Sequence, residues 1–211
     1  MQPTSTKRLT CTRCLRPQRT CICNWVTPIE NAVEVLILQH PLEVDNAKGS
    51  VRLLQLSLSR SEAVVGEVFA EQAMQTLLQP AQARYTILLY PDSPDDKGLN
   101  LATPPQLDPA LLLDPAQVRL IVLDGTWRKS RKMLYLNPLL QQLPRLSLSN
   151  TPASRYVIRK AHSPGQLSTL EATCYALMQL EQNEEKYQPL LTAFSGFVAQ
   201  QFTYEKHINR H

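Results

Sequence analysis

Val118-Arg119-Leu120-Ile121-Val122-Leu123 runs directly into Asp124-Gly125-Thr126-Trp127. The first six residues are short, rich in branched side chains and almost fully apolar. That pattern predicts a strand buried on both faces, as in a parallel sheet. Gly125 permits a sharp turn, and Thr126 suits the N-cap of a following helix. Trp127–Tyr135 reads as that helix, closed by Asn137-Pro138. Asp124 stands at a carboxyl strand end, where open α/β sheets bind their ligands. An ordinary aspartate cap before a basic surface helix would use the same residues, so both readings stand on this stretch alone.

Working outward, Val33–Leu38 and Tyr85–Tyr90 are two further clear strands, with Ala63–Gly66 and Arg145–Leu148 shorter ones. Ala70–Leu78, Ser168–Gln182 and Leu190–Phe202 carry helical periodicity; 50–59 fits either a helix or an irregular stretch. The Pro- and Asp-rich 91–117 reads as loop. Apolar strands alternating with helices predict an α/β fold, with a mainly parallel sheet covered on both sides. The loops after Leu38, Tyr90, Leu123 and Leu148 are then the places to look for a site. No internal repeat or low-complexity segment interrupts the chain.

The helix after Asp124 opens with Arg128, Lys129, Arg131 and Lys132. Cations at a helix N-terminus oppose its dipole, and a bound anion would relieve that cost. Basic residues also gather at 7–19 and at 155–162 (Arg155, Arg159, Lys160, His162), while the net charge is only +4. Charge segregated in this way favours a polyanion-binding face. With 43% hydrophobic and 19% charged residues the chain is globular. No apolar run approaches the roughly 20 residues of a membrane span.

Residues 1–27 form a distinct basic segment ahead of a main domain at 28–211. Cys11, Cys14, Cys21 and Cys23 follow the spacing C-x2-C-x6-C-x-C, and residues 1–23 contain no acid. Four thiols at this density suit a tetrahedral Zn2+ site, structural because four sulfur ligands leave no open position. Two disulfides are the competing reading. The first 30 residues lack the apolar core of a secretory signal, so a reducing, cytoplasmic setting and free thiolates are expected. Arg13 and Arg16, inside the cluster, are candidates to face nucleic acid.

Three smaller constellations remain. In Ser168-Thr169-Leu170-Glu171 either hydroxyl can cap a helix, with Glu171 completing a capping box. His40-Pro41-Leu42-Glu43 ends the first strand; His40 is either structural or a phosphate ligand. At Leu89-Tyr90-Pro91 a proline ends a strand and frees backbone groups. The chain has six glycines, no G-x-G-x-x-G and no P-loop, so a glycine-rich phosphate cradle is not expected. No Cys/His or Ser/His motif suggests a covalent nucleophile.

In order along residues 11–175, these motifs resemble the DTW-domain family of tRNA-uridine aminocarboxypropyltransferases. They are the four cysteines, His40-Pro41-x-Glu43, Leu89-Tyr90-Pro91, Leu123-Asp124-Gly125-Thr126-Trp127-Arg128-Lys129, Tyr156-x2-Arg159-Lys160 and Leu167-Ser168-Thr169-Leu170-Glu171-Ala172. The D-x-T-W signature is Asp124 to Trp127.

The resemblance implies a SPOUT-like sheet with a C-terminal trefoil knot, a rare exception to unknotted topology. It also implies transfer of the 3-amino-3-carboxypropyl arm of S-adenosylmethionine to N3 of a uridine in the tRNA variable loop, with release of methylthioadenosine. Asp124 is then the candidate general base. Leu89, Tyr90, Pro91, Leu123, Gly125, Thr126, Trp127, Ser168, Thr169 and Glu171 would contact the cofactor. Trp127 could instead stack on a base or pack in the core. Arg13, Arg16, His40, Arg128, Lys129, Arg131, Arg155, Arg159 and Lys160 would hold tRNA. No feature of the sequence calls for an obligatory protein partner. A SPOUT-type RNA methyltransferase and a non-catalytic zinc-ribbon RNA-binding protein are the alternatives.

Overall fold

The computed structural model describes residues 9–79, 84–91, 101, 103–148 and 167–208. Five strands, β1 (Glu34–Gln39), β2 (Ser61–Val65), β3 (Tyr85–Leu89), β4 (Val118–Asp124) and β5 (Arg145–Leu146), form a wholly parallel sheet in the order β2-β1-β4-β3-β5. The six helices of the described residues are α1 (Val51–Ser57), α2 (Glu71–Leu78), α3 (Trp127–Leu136), α4 (Pro138–Gln141), α5 (Thr169–Glu181) and α6 (Glu184–Ile208).

Strand side chains alternate between two cores, as a period of two requires. Val35 and Ile37 of β1, Ile87 of β3, and Leu120 and Val122 of β4 face one side, where α1, α5 and α6 supply Leu53, Leu54, Leu170, Leu177, Leu190 and Phe194. Leu36, Leu38, Leu88, Ile121 and Leu123 face the other, against Met74 of α2, Met133 and Leu134 of α3 and Leu140 of α4. Burying each such side chain stabilises the fold by about 1.5–3 kcal/mol. This double covering explains why β1 and β4 read as almost fully apolar. Edge strand β2 is only partly buried and correspondingly harder to read.

One helix starts elsewhere than the sequence predicts, and one open reading is decided. Helix α6 starts at Glu184, not Leu190, and carries Pro189 inside it. Pro189 removes one helical N–H, but complete burial of Tyr187, Leu190 and Leu191 around it offsets that loss. Residues 50–59 resolve as helix α1 because Val51, Leu53 and Leu54 are buried on one side. Helix α5 begins on the expected capping box. Ser168 Oγ accepts from Glu171 N, and the Glu171 carboxylate accepts from Ser168 N at 2.9 Å. The path that would form a trefoil knot runs through 149–166, which lie outside the described residues, as do Arg155, Arg159 and Lys160.

The cysteine segment shares the main core. Cys14 and Ile22 are buried in the cluster that includes α6. Trp25 donates through Nε1 to Gln200, whose side-chain amide donates to Cys21 O at 3.2 Å. Gly196 is obligatory beneath it: a Cβ there would lie 2.1 Å from the Trp25 ring. Among the described residues no helix is long and apolar enough to cross a membrane.

Candidate active site

The central strands β1 and β4 are neighbours whose chains leave in opposite directions, β1 towards β2 and β4 towards β5. Such a switch point opens a crevice at the carboxyl edge. The last register pair of this ladder is Gln39 opposite Asp124. Gln39 Nε2 donates to Asp124 Oδ2 at 3.0 Å, and Thr169 Oγ1, from the first turn of α5, donates to Oδ1 at 2.6 Å. The Asp124 carbonyl accepts from His40 N at 2.9 Å. Asp124 is 7% exposed. Three segments distant in sequence thus converge on one buried carboxylate. Thr126, not Asp124, caps α3, through Lys129 N.

Both ring nitrogens of His40 are bound within the fold. Its Nδ1 accepts from Leu42 N at 3.1 Å, and its Nε2 lies 2.9 Å from Glu67 Oε1. The N–H donor on the first nitrogen assigns the proton to Nε2, which donates to Glu67. Lys132 and then His40 hold the Glu67 carboxyl below the usual glutamate range. Asn137 fixes this loop by donating to Glu67 O and accepting from Phe69 N. Nearby, Lys129 pairs with Glu43 at 2.8 Å, and Asn46 donates to the other Glu43 oxygen. His40, Pro41, Leu42, Glu67, Arg128, Lys129 and Lys132 line a concavity of about 440 Å³ on this edge. A larger one, about 660 Å³, lies away from it beside Trp25 and Pro189.

Aromatic residues form a shelf on the other flank. Tyr90, buried just beyond β3, stacks on Trp127 with centroids 5.2 Å apart and planes 19° off parallel. The Arg145 guanidinium lies over the Tyr90 ring at 5.1 Å. Trp127 itself remains 37% exposed. Leu89 is partly buried, Leu123 buried and Pro91 exposed around this shelf. Gly125 meets Lys129 Cβ at 3.0 Å from where its own Cβ would stand, so the turn is tight. Ser168 and Glu171 are buried in the cap of α5.

The four cysteine sulfurs lie within 4.8 Å of one another, with Cys11–Cys23 at 3.6 Å and Cys14–Cys21 at 3.7 Å. A tetrahedron of zinc–sulfur bonds has an S···S edge of about 3.8 Å, so the set fits a metal ion. Backbone donors at Cys14 and Arg13 draw the Cys11 thiol down to about 6, whereas burial and the other sulfurs push Cys23 up to about 12. Of the cationic candidates, Arg13 and Arg128 are exposed and Arg131 is half-buried. Arg16 is spent within the fold, donating to Ala47 O at 2.6 Å and Gly49 O at 2.8 Å and lying over Phe197.

Sequence reasoning passed over Gln39, Glu67 and Arg145. Gln39 follows the last apolar residue of a strand, and no motif contains Glu67. Only the position of Gln39 beside His40, at a carboxyl strand end, could have singled it out.

Comparison with known proteins identifies the family. The DTW domain model matches residues 8–202. The chain is 31% identical to tRNA-uridine aminocarboxypropyltransferase 2 of Macaca fascicularis over 88% of its own length and 61% of the relative's. For the protein of the same name in Mus musculus the values are 32%, 84% and 58%. For tRNA-uridine aminocarboxypropyltransferase A of Arabidopsis thaliana they are 27%, 95% and 83%. The chain therefore spans about three-fifths of the length of the two mammalian relatives. No solved structure matches it. With the D-x-T-W residues at the switch point and a family match running from the cysteine segment through most of α6, the chain belongs to the DTW domain family.

Proposed function

We propose that this chain transfers the 3-amino-3-carboxypropyl group of S-adenosylmethionine to N3 of a uridine in the tRNA variable loop, releasing methylthioadenosine. The observation that carries the reading is Asp124, a buried carboxylate that accepts from Gln39 and Thr169 at the sheet's switch point. The names of the relatives supply the reaction class. S-adenosylmethionine, when bound, supplies an electrophilic methylene next to a sulfonium. The residues present suit it: Trp127, stacked on Tyr90 and 37% exposed, offers a shelf for an aromatic ring.

Asp124 serves as general base for the N3 proton, a role worth roughly 10²–10⁴-fold. Exposed Arg128, half-buried Arg131 and exposed Arg13 bind tRNA phosphates. A structural Zn2+ on Cys11, Cys14, Cys21 and Cys23 holds the basic segment. The SPOUT-like knotted topology belongs to the same proposal, supported by the all-parallel sheet. The test is product mass. Incubation with S-adenosylmethionine and unmodified tRNA, then digestion to nucleosides, should give a uridine heavier by the aminocarboxypropyl group. A methyl shift would make the chain a methyltransferase, and no shift an RNA-binding protein.

A further inference from the structure

We propose that Thr169 is a proton relay: its hydroxyl takes the proton from the attacking uridine nitrogen and passes its own to Asp124. This rests on the transfer reaction proposed above and assigns the route of its proton.

Three observations lead to it. First, Thr169 Oγ1 lies 2.6 Å from Asp124 Oδ1, the separation of a charge-assisted O–H···O⁻ bond. Second, Thr169 is half-buried whereas Asp124 is buried. On the proposed route a substrate atom entering the crevice meets the Thr169 hydroxyl, and the acid is reached through it.

Third, the Gln39 donor cannot reverse. Gln39 Nε2 bonds Oδ2 at 3.0 Å, and an amide N–H only donates. It keeps Oδ2 an acceptor, and the relay delivers its proton to Oδ1. A hydroxyl both donates and accepts, so Thr169 can turn from donor to acceptor as Oδ1 gains its proton. The Thr169 backbone is fixed for this by the capping box of α5 and by Thr173 Oγ1, which donates to Thr169 O at 2.7 Å.

The step balances. The N3–C bond forms as the C–S bond breaks, and the C–S electron pair stays on sulfur. The N3 proton moves to Thr169 Oγ1 while the Thr169 proton moves to Asp124 Oδ1. The carboxylate's negative charge and the sulfonium's positive charge disappear together, and the threonine hydroxyl is restored.

The experiment is single-turnover transfer by the full chain in H2O–D2O mixtures, for wild type, Thr169→Ser and Thr169→Val. The relay predicts a curved proton inventory, since two protons move together. It predicts Thr169→Ser within about threefold of wild type, and Thr169→Val slower by about 100-fold or more, the scale of general-base catalysis. A smaller loss in Thr169→Val, or a linear inventory in wild type, would overturn the relay and leave transfer by Asp124 standing. Should Thr169→Val fail to fold, the wild-type inventory and Thr169→Ser decide the matter. A wild-type chain that makes no aminocarboxypropyl product overturns the transfer reading, and the relay with it.

Discussion

Lys129 Nζ sits 2.8 Å from Glu43 Oε1, an acid buried on the loop that follows β1. Lys132 is likewise bound to Glu67, on the loop after β2. Half of the basic opening of α3 is thus spent on tying two loops to the helix, and that half neutralises charge locally. What remains for a polyanion is Arg128 and Arg131.

A tRNA phosphate contact releases counterions, so its removal lowers the salt slope of binding by about 1 per contact. Arg128→Ala with Arg131→Ala is expected to weaken tRNA binding and flatten that slope. Filter binding across a salt series measures it. An unchanged slope would place the RNA on another face.

The cysteine cluster is expected to carry one zinc per chain. Metal analysis of purified protein should find it, and Cys14→Ser should lower both metal content and thermal stability, because Cys14 is also packed in the core. Protein without stoichiometric metal, folded as well as the zinc-loaded form, would refute the site.

Glu181 anchors the end of α5 to the start of β1. It accepts from Ala32 N at 2.7 Å, from Val33 N at 3.1 Å and from Lys186 at 2.6 Å. Burial pushes its carboxyl up, but Lys186 and the Val33 and Ala32 amides outweigh that and hold it below the usual range. A carboxyl lowered on folding stabilises fully above its unfolded value, about 4.3, and loses that contribution as pH falls through its folded value. Glu181→Gln should therefore cost about 1–3 kcal/mol at pH 7, and the gap to wild type should close under acid. Urea midpoints at pH 7 and pH 3 measure this. An equal gap at both would show that the charge contributes nothing.

Helix α5 ends on Gln182 in the left-handed region, at φ 47°. Glycine takes that conformation without steric cost. Gln182→Gly is expected to raise stability by about 1 kcal/mol, read as a higher urea midpoint at unchanged slope. A lower midpoint would contradict it.

The fold was legible where burial is two-sided. β1, β3 and β4 are largely apolar because helices cover both faces, so their existence, their bounds to within a residue and their parallel arrangement could be read directly. Asp124-Gly125-Thr126-Trp127 was legible as a candidate site because an acid followed such a strand. The partners of Asp124 were not: Gln39 and Thr169 lie 85 and 45 residues away, and only the register of β1 on β4 and the docking of α5 bring them in. His40 illustrates the same limit. Sequence offered a structural residue or a phosphate ligand, and the geometry shows both ring nitrogens bound within the fold. Pro189 misled in the opposite sense, since a local helix breaker was overridden by tertiary burial.

The central claim is that Asp124 takes a proton in the transfer step. Asp124→Asn keeps the size and polarity of the side chain and removes the basic carboxylate. Single-turnover transfer to unmodified tRNA, with calorimetric titration of S-adenosylmethionine on the same protein, tests it most directly. Transfer should fall by about 10²–10⁴-fold with cofactor affinity nearly unchanged. Near-normal turnover would contradict it, and so would activity lost only in proportion to cofactor binding, which would make Asp124 a ligand and not a base.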